Sequence, residues 1–154
     1  MIWQDGAQIR RTLENVFNAV SAGSMRQLPV LNPALAVKAV GFERFGDDWP
    51  GVLLTPWFMN LLLLPGEFSA WRELSPGQTF EQSFPGGCFR FTVGRQTRLG
   101  SYGQCSLFSP MWQFADQNAA LTAAQSALQG LLTVPAAPVL SRRDLLRGSI
   151  GTGP

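Results

Sequence analysis

Thr55-Pro56-Trp57-Phe58-Met59-Asn60-Leu61-Leu62-Leu63-Leu64-Pro65-Gly66 is the stretch on which the fold turns. It lies in the most hydrophobic part of the chain, residues 52–64, where Thr55, Pro56 and Asn60 interrupt the apolar run. A bilayer span needs roughly 18 or more apolar residues, so this segment reads as core. Its Val and Leu content predicts strand, and a proline cannot donate to a ladder. Pro56 therefore predicts two short strands joined by a kink, or one strand bulged there. Alternation along such a strand sends Trp57 and Met59 to one face and Phe58 and Asn60 to the other, so both faces carry large side chains. Two readings follow. In one the strand is buried on both faces in the middle of a sheet, with helices on one side and loops on the other. In the other, Trp57, Phe58 and Met59 line a groove for an apolar peptide segment, since Trp anchors interfaces and Met adapts to varied apolar ligands.

Toward the N-terminus, Asp5 is placed to cap a helix whose Ile9, Leu13, Val16, Phe17 and Val20 form one apolar stripe, with Gly23 to end it. Val37, Ala39, Phe42 and Phe45 predict a strand, and residues 46–51 a turn. Downstream, residues 79–84, 89–93 and 102–108 alternate apolar with polar side chains. They are separated by Pro85-Gly86-Gly87 and by a stretch from Gly94 to Gly100, the pattern of an antiparallel meander. Asp116 then opens an Ala-rich amphipathic helix with Ala120, Leu121, Ala124, Leu128, Leu131 and Leu132 on one side. The expected fold is α+β: a meander-like antiparallel sheet of about five strands packed with an N-terminal and a C-terminal amphipathic helix. One domain over residues 1–134 is followed by a flexible basic tail over 135–154. For the last two strands, the register that sets Phe89 against Cys105 and Phe91 against Gly103 gathers the apolar groups on one face. It leaves Cys88 on the reverse face, with no disulfide.

Composition narrows function. With 154 residues and 16.8 kDa, the chain has the usual size of one domain. Charged residues make up 14%, against roughly 25% in an ordinary soluble domain, while five Trp and eleven Phe push the other way. Few solvating charges imply exposed apolar area, which marks a partner site. There is no histidine and there are only two cysteines, Cys88 and Cys105. Histidine-based nucleophile activation, imidazole proton shuttling and the usual zinc centres are thereby excluded. The acidic residues are scattered, and the adjacent pair Asp47-Asp48 precedes Trp49-Pro50 as in an ordinary turn. Ser101, between Gly100 and Tyr102, lacks the spacing of a nucleophile elbow. No catalytic residues, cofactor or metal are expected.

Charge is balanced over residues 1–134, and the whole excess lies in 135–154, where Arg142, Arg143 and Arg147 face Asp144 alone. A neutral body argues against nucleic-acid binding, which calls for a basic stripe on the fold. Residues 1–11 carry no apolar signal region, so a cytoplasmic location with reduced thiols is expected. The tail segment Ser141-Arg142-Arg143-Asp144-Leu145-Leu146-Arg147 has the form of a twin-arginine export motif, yet it stands near the end of the sequence and runs into a Gly-rich stretch. It reads as a flexible basic tail or as a decoy imitating such a signal.

Several short motifs, in order, carry a family likeness: Asn32-Pro33, Trp49 with Gly51, Thr55-Pro56-Trp57, Pro65-Gly66, Phe91-Thr92-Val93-Gly94, Cys105-Ser106-Leu107 with Ser109-Pro110, and Arg142-Arg143 with Leu145-Leu146 and Gly148. In these the chain resembles the HybE family of [NiFe]-hydrogenase assembly chaperones, which includes HupJ- and HoxT-type proteins. The resemblance implies a cytoplasmic, non-enzymatic factor in hydrogenase maturation. Its implied partners are the hydrogenase small-subunit precursor, the large subunit or both. It also implies a link to withholding precursors from twin-arginine export until their metal centres are inserted, with the signal peptide as a further partner. Some relatives carry a rubredoxin-like iron domain, and this chain has no paired-cysteine motif for one. The partner-binding residues expected are Trp57, Phe58 and Met59 in the body and Arg142, Arg143, Leu145 and Leu146 in the tail. The competing class is a carrier whose aromatic sheet encloses a small hydrophobic ligand.

Overall fold

The computed structural model describes residues 2–23 and 31–135, together with the backbone of 143–146 and 149–153. Helix α1, Gly6–Ala22, begins where the Asp5 carboxylate accepts from the Gln8 N–H at 2.8 Å, and its Ile9, Leu13, Val16 and Phe17 are buried. Six strands follow: β1 Lys38–Gly41, β2 Asp48–Leu54, β3 Met59–Pro65, β4 Thr79–Phe84, β5 Gly87–Gln96 and β6 Gly100–Phe108. Helix α2, Gln117–Leu132, is capped by Asp116, whose side chain accepts from the Ala119 N–H. The strands pair antiparallel in the order β1-β2-β3-β6-β5-β4, two meanders joined through β3 and β6. Strands β7, Arg143–Leu146, and β8, Ser149–Gly153, form a separate two-stranded ladder.

The four leucines of β3 explain the layering. Leu61 and Leu63 join the core that holds α2, whereas Leu62 and Leu64 join the core that holds α1, so successive side chains serve opposite faces. Of the two readings of that stretch, burial on both faces describes β3, but the helices, expected on one side with loops on the other, lie one on each face. The inner face curls around α2. The β4–β5 turn reaches it through Gly86 N–H to Leu131 O at 2.9 Å, and Phe45, just beyond β1, lies 5.3 Å from Phe84 of β4 between ring centroids. On the same face Trp71 stacks on Phe80 and Phe80 on Phe91, filling the space under the β3–β4 crossover. On the outer face α1 covers the β1–β3 half. The β6-β5-β4 half there presents Gln104, Thr92, Arg90 and Glu81, which are half-buried or exposed.

Three local expectations are corrected. First, residues 55–58 are a turn, not strand: the Thr55 N–H donates to Phe58 O at 2.8 Å and the Phe58 N–H to Thr55 Oγ1 at 2.9 Å. The segment therefore yields two strands, and Trp57 and Met59 do not share a strand face. Second, β1 stops at Gly41, because Gly41 and Phe42 both take positive φ, 90° and 70°. That turn tucks the Phe42 ring against Gly51, where a side chain would collide with it. The following turn closes within Gly46-Asp47 as Phe45 and Asp48 exchange hydrogen bonds, so β2 already contains Asp48 to Gly51. Third, the β5–β6 register sets Val93 against Gly103, two residues from the expected pairing. The three-residue connection between Gln96 and Gly100, with Gly100 at φ 84°, fixes it. A shift of two preserves the faces: Cys105 sides with Phe91 in the inner core, and Cys88 is exposed.

Candidate functional site

The β2–β3 turn puts Trp57 and Phe58 at one end of the sheet. Both are half-buried, packed edge-on at 5.6 Å, and Phe58 also meets Phe17 near the C-terminal end of α1 at 6.1 Å. Thr55 Oγ1 accepts from the N–H groups of Trp57 and Phe58, which holds the aromatic pair at a fixed angle to the strands. Met59 is 0% exposed in the inner core beside α2. As the first residue of β3 it faces inward, so it is withdrawn as a contact for a partner.

A second aromatic arrives at the same end by a route that sequence reading misses. Asn32, buried, accepts from the Ala34 N–H through its side-chain oxygen. Its Nδ2 donates to Met111 O at 2.8 Å and to Phe114 O at 2.9 Å. Its own N–H donates to Pro56 O at 2.8 Å. One asparagine thus ties the β2–β3 turn to the loop after β6. In that loop Met111 is sunk in the core while its neighbour Trp112 stands 55% exposed. The Asn32 bonds thus bring the backbone of the loop bearing Trp112 to the turn bearing Trp57 and Phe58, and Phe58 borders a cleft of about 340 Å³ whose other lining residues are Asn60, Thr92, Gln104, Ser106 and Ser109. The signal available in the sequence is the pair Asn32-Pro33 beside Ser109-Pro110; without a period, nothing there connects them to Trp57.

Titratable chemistry is sparse. Burial pushes the Cys105 thiol and the Tyr102 hydroxyl up, away from ionisation. Asp48 is raised too, chiefly by burial, although Trp71 Nε1 donates to its Oδ2 at 3.2 Å and Ser69 lies beside it. It sits at the far end of β2 from the aromatic tip, as a structural carboxyl. Among the described residues no cluster of three or more His, Cys, Asp or Glu side chains could hold a metal ion, and no helix is long and apolar enough to cross a membrane. The tail residues Arg143, Leu145 and Leu146 belong to β7 by backbone, and Arg142 lies outside the described residues.

A sequence profile described as "[NiFe]-hydrogenase assembly, chaperone, HybE" matches residues 8–148. The hydrogenase expression/formation protein HupJ of Bradyrhizobium diazoefficiens is 38% identical, over 90% of this chain and 86% of its own. Protein HoxT of Cupriavidus necator is 39% identical, over 84% and 78% respectively. The solution structure of HybE from Escherichia coli superposes with a TM-score of 0.67 at 26% identity, covering 89% of this chain and 87% of that one.

Proposed function

Because the chain belongs to the HybE family of [NiFe]-hydrogenase assembly chaperones, we propose that it works in the cytoplasm by binding hydrogenase subunit precursors at its aromatic end before export. The family consists of assembly chaperones, not catalysts. The observation that carries the reading is that Thr55 fixes the half-buried Trp57–Phe58 pair in the β2–β3 turn and Asn32 ties that turn to the loop bearing the exposed Trp112. Rigid aromatic anchors of this kind supply most of the binding free energy at interfaces. The small-subunit precursor and the large subunit are the candidate partners. The tail, residues 135–154, serves as the arm: Arg142, Arg143, Leu145 and Leu146 imitate a twin-arginine signal, and a genuine signal peptide displaces them, delaying export until the metal centre is in place. Both faces of β3 are filled by packed side chains, which argues against a small hydrophobic ligand enclosed at the centre of the sheet.

The test is affinity capture with the full chain from cells making a [NiFe]-hydrogenase, read by mass spectrometry. Recovery of a signal-bearing small-subunit precursor, of the large subunit, or of both is expected; recovery of neither contradicts the reading. Removing residues 139–154 tests the arm. Precursor binding and export timing both unchanged by that deletion would eliminate the decoy.

A further inference from the structure

Asn60 is out of place in its strand. It lies in β3 between Met59 and Leu61, it is 7% exposed, and its cross-strand neighbours are Leu53 and Ser106. A leucine would suit such a position, because burying a primary amide without good partners costs about 1–3 kcal/mol. Its side chain makes one hydrogen bond among the described residues, Nδ2 to Gln104 Oε1, at 3.4 Å, the long limit for such a bond. Asn60 Oδ1 and Gln104 Nε2 have no protein partner among the described residues and are not sealed from solvent, so they are open to the cleft as one acceptor and one donor. Reversing both amides leaves the same complement, one donor and one acceptor.

The surroundings select what those groups can hold. The cleft above them is walled by the hydroxyls of Thr92, Ser106 and Ser109 and by the Phe58 ring, and none of its lining side chains is charged. The cleft offers a charged ligand no counter-ion among its lining residues, whereas a neutral hydrogen-bonding group beside an apolar side chain fits it. A β-bulge at the cleft supports the same end. Met59 pairs with Phe108 and Asn60 with Ser106, so Leu107 is the extra residue; Leu107 and Phe108 both pack toward the inner core while Ser106 stays beside Asn60. We propose that the Asn60 and Gln104 carboxamides clasp a main-chain peptide group of an extended, uncharged polypeptide segment, whose apolar side chains lie against Phe58. This rests on the reading that the aromatic end receives a polypeptide, and it names the chemistry that segment presents.

The probe is a capped, uncharged peptide of alternating Leu and Ser, titrated into the isotope-labelled full chain and followed by the side-chain amide resonances. The Asn60 and Gln104 signals shift on binding. The same peptide methylated at every second main-chain nitrogen binds at least tenfold more weakly. Asn60→Leu keeps the fold, with an unchanged or higher denaturation midpoint, and weakens the unmethylated peptide by about tenfold. Gln104→Leu, at a less buried position, does the same. Equal affinity for the methylated peptide, or undiminished binding by both leucine variants, overturns the clasp. Binding that falls with Trp57→Ala but not with either leucine variant removes the clasp and leaves the aromatic end in place. Failure of the wild-type chain to bind the peptide overturns the clasp, while the aromatic end stands or falls separately on binding of the hydrogenase precursor.

Discussion

Asn32 Nδ2 donates to the carbonyl oxygen of Met111 at 2.8 Å across 79 positions of sequence, and with the Asn32 N–H on Pro56 O it ties the loop bearing Trp112 to the β2–β3 turn. A carboxamide has the two donors and one acceptor this junction needs, and it is satisfied on both sides. Asn32→Ala strands the Met111 and Phe114 carbonyls. The expected loss is about 2 kcal/mol in denaturant unfolding. It is accompanied by faster amide hydrogen exchange in residues 55–58 and 109–114, and exchange unchanged in both segments would deny Asn32 this role.

β3 should be intolerant of truncation on either face. Leu62→Ala empties space under α1 and Leu63→Ala empties space under α2, and each is expected to cost about 2–5 kcal/mol in unfolding titrations. A variant losing less than about 1 kcal/mol would mean that one helix is poorly seated.

Asp48 gives a pH signature. Its folded-state pKa is raised above 3.8, mainly by burial, so the folded chain holds that proton to higher pH than the unfolded chain does. The resulting contribution to stability is present below the unfolded value and is lost as pH rises through the folded one. A carboxamide in its place would keep an acceptor for Trp71 and add a donor toward Ser69, whose Oγ is buried. Asp48→Asn is therefore expected to melt at or above the wild-type temperature at neutral pH, with the advantage shrinking in acid. A melting point that falls at neutral pH would show instead that the ionised carboxylate is needed.

The cysteines lie on opposite faces of the β5–β6 pair, Cys88 exposed and Cys105 against the inner core. In the native protein an alkylating reagent should modify Cys88 first. Cys105 should lag, both shielded and with its thiol pKa raised by burial. Simultaneous labelling, or an internal disulfide seen by non-reducing mass analysis, would contradict the sheet register.

How far these features can be foreseen depends on whether they have a period. Asp5 and Asp116 announce their helices because a cap is a local event, and the bounds of β4 follow from strict alternation. The four leucines of β3 announce a strand covered on both faces because no polar side chain interrupts them. Turns mislead: Thr55 to Phe58 looks like strand by composition, and only the Thr55 hydroxyl closing on Phe58 makes it a turn, which moves Met59 into the core and Trp57 to the tip. The β5–β6 register departs by two residues from the one expected because Leu99, which looks like part of a glycine-bounded loop, is buried as the corner of a three-residue turn. Trp112 and Asn32 sit in aperiodic loops, and their relation exists only in three dimensions.

Binding of a purified hydrogenase small-subunit precursor, its signal peptide intact, to the wild-type chain and to Trp57→Ala/Trp112→Ala is the most direct measurement. Both substitutions fall on partly exposed rings, so far-UV circular dichroism should be unchanged. Loss of two anchors should weaken the complex at least tenfold, about 1.4 kcal/mol or more. A double variant that keeps its fold and binds the precursor as tightly as wild type would contradict the aromatic end as the docking site.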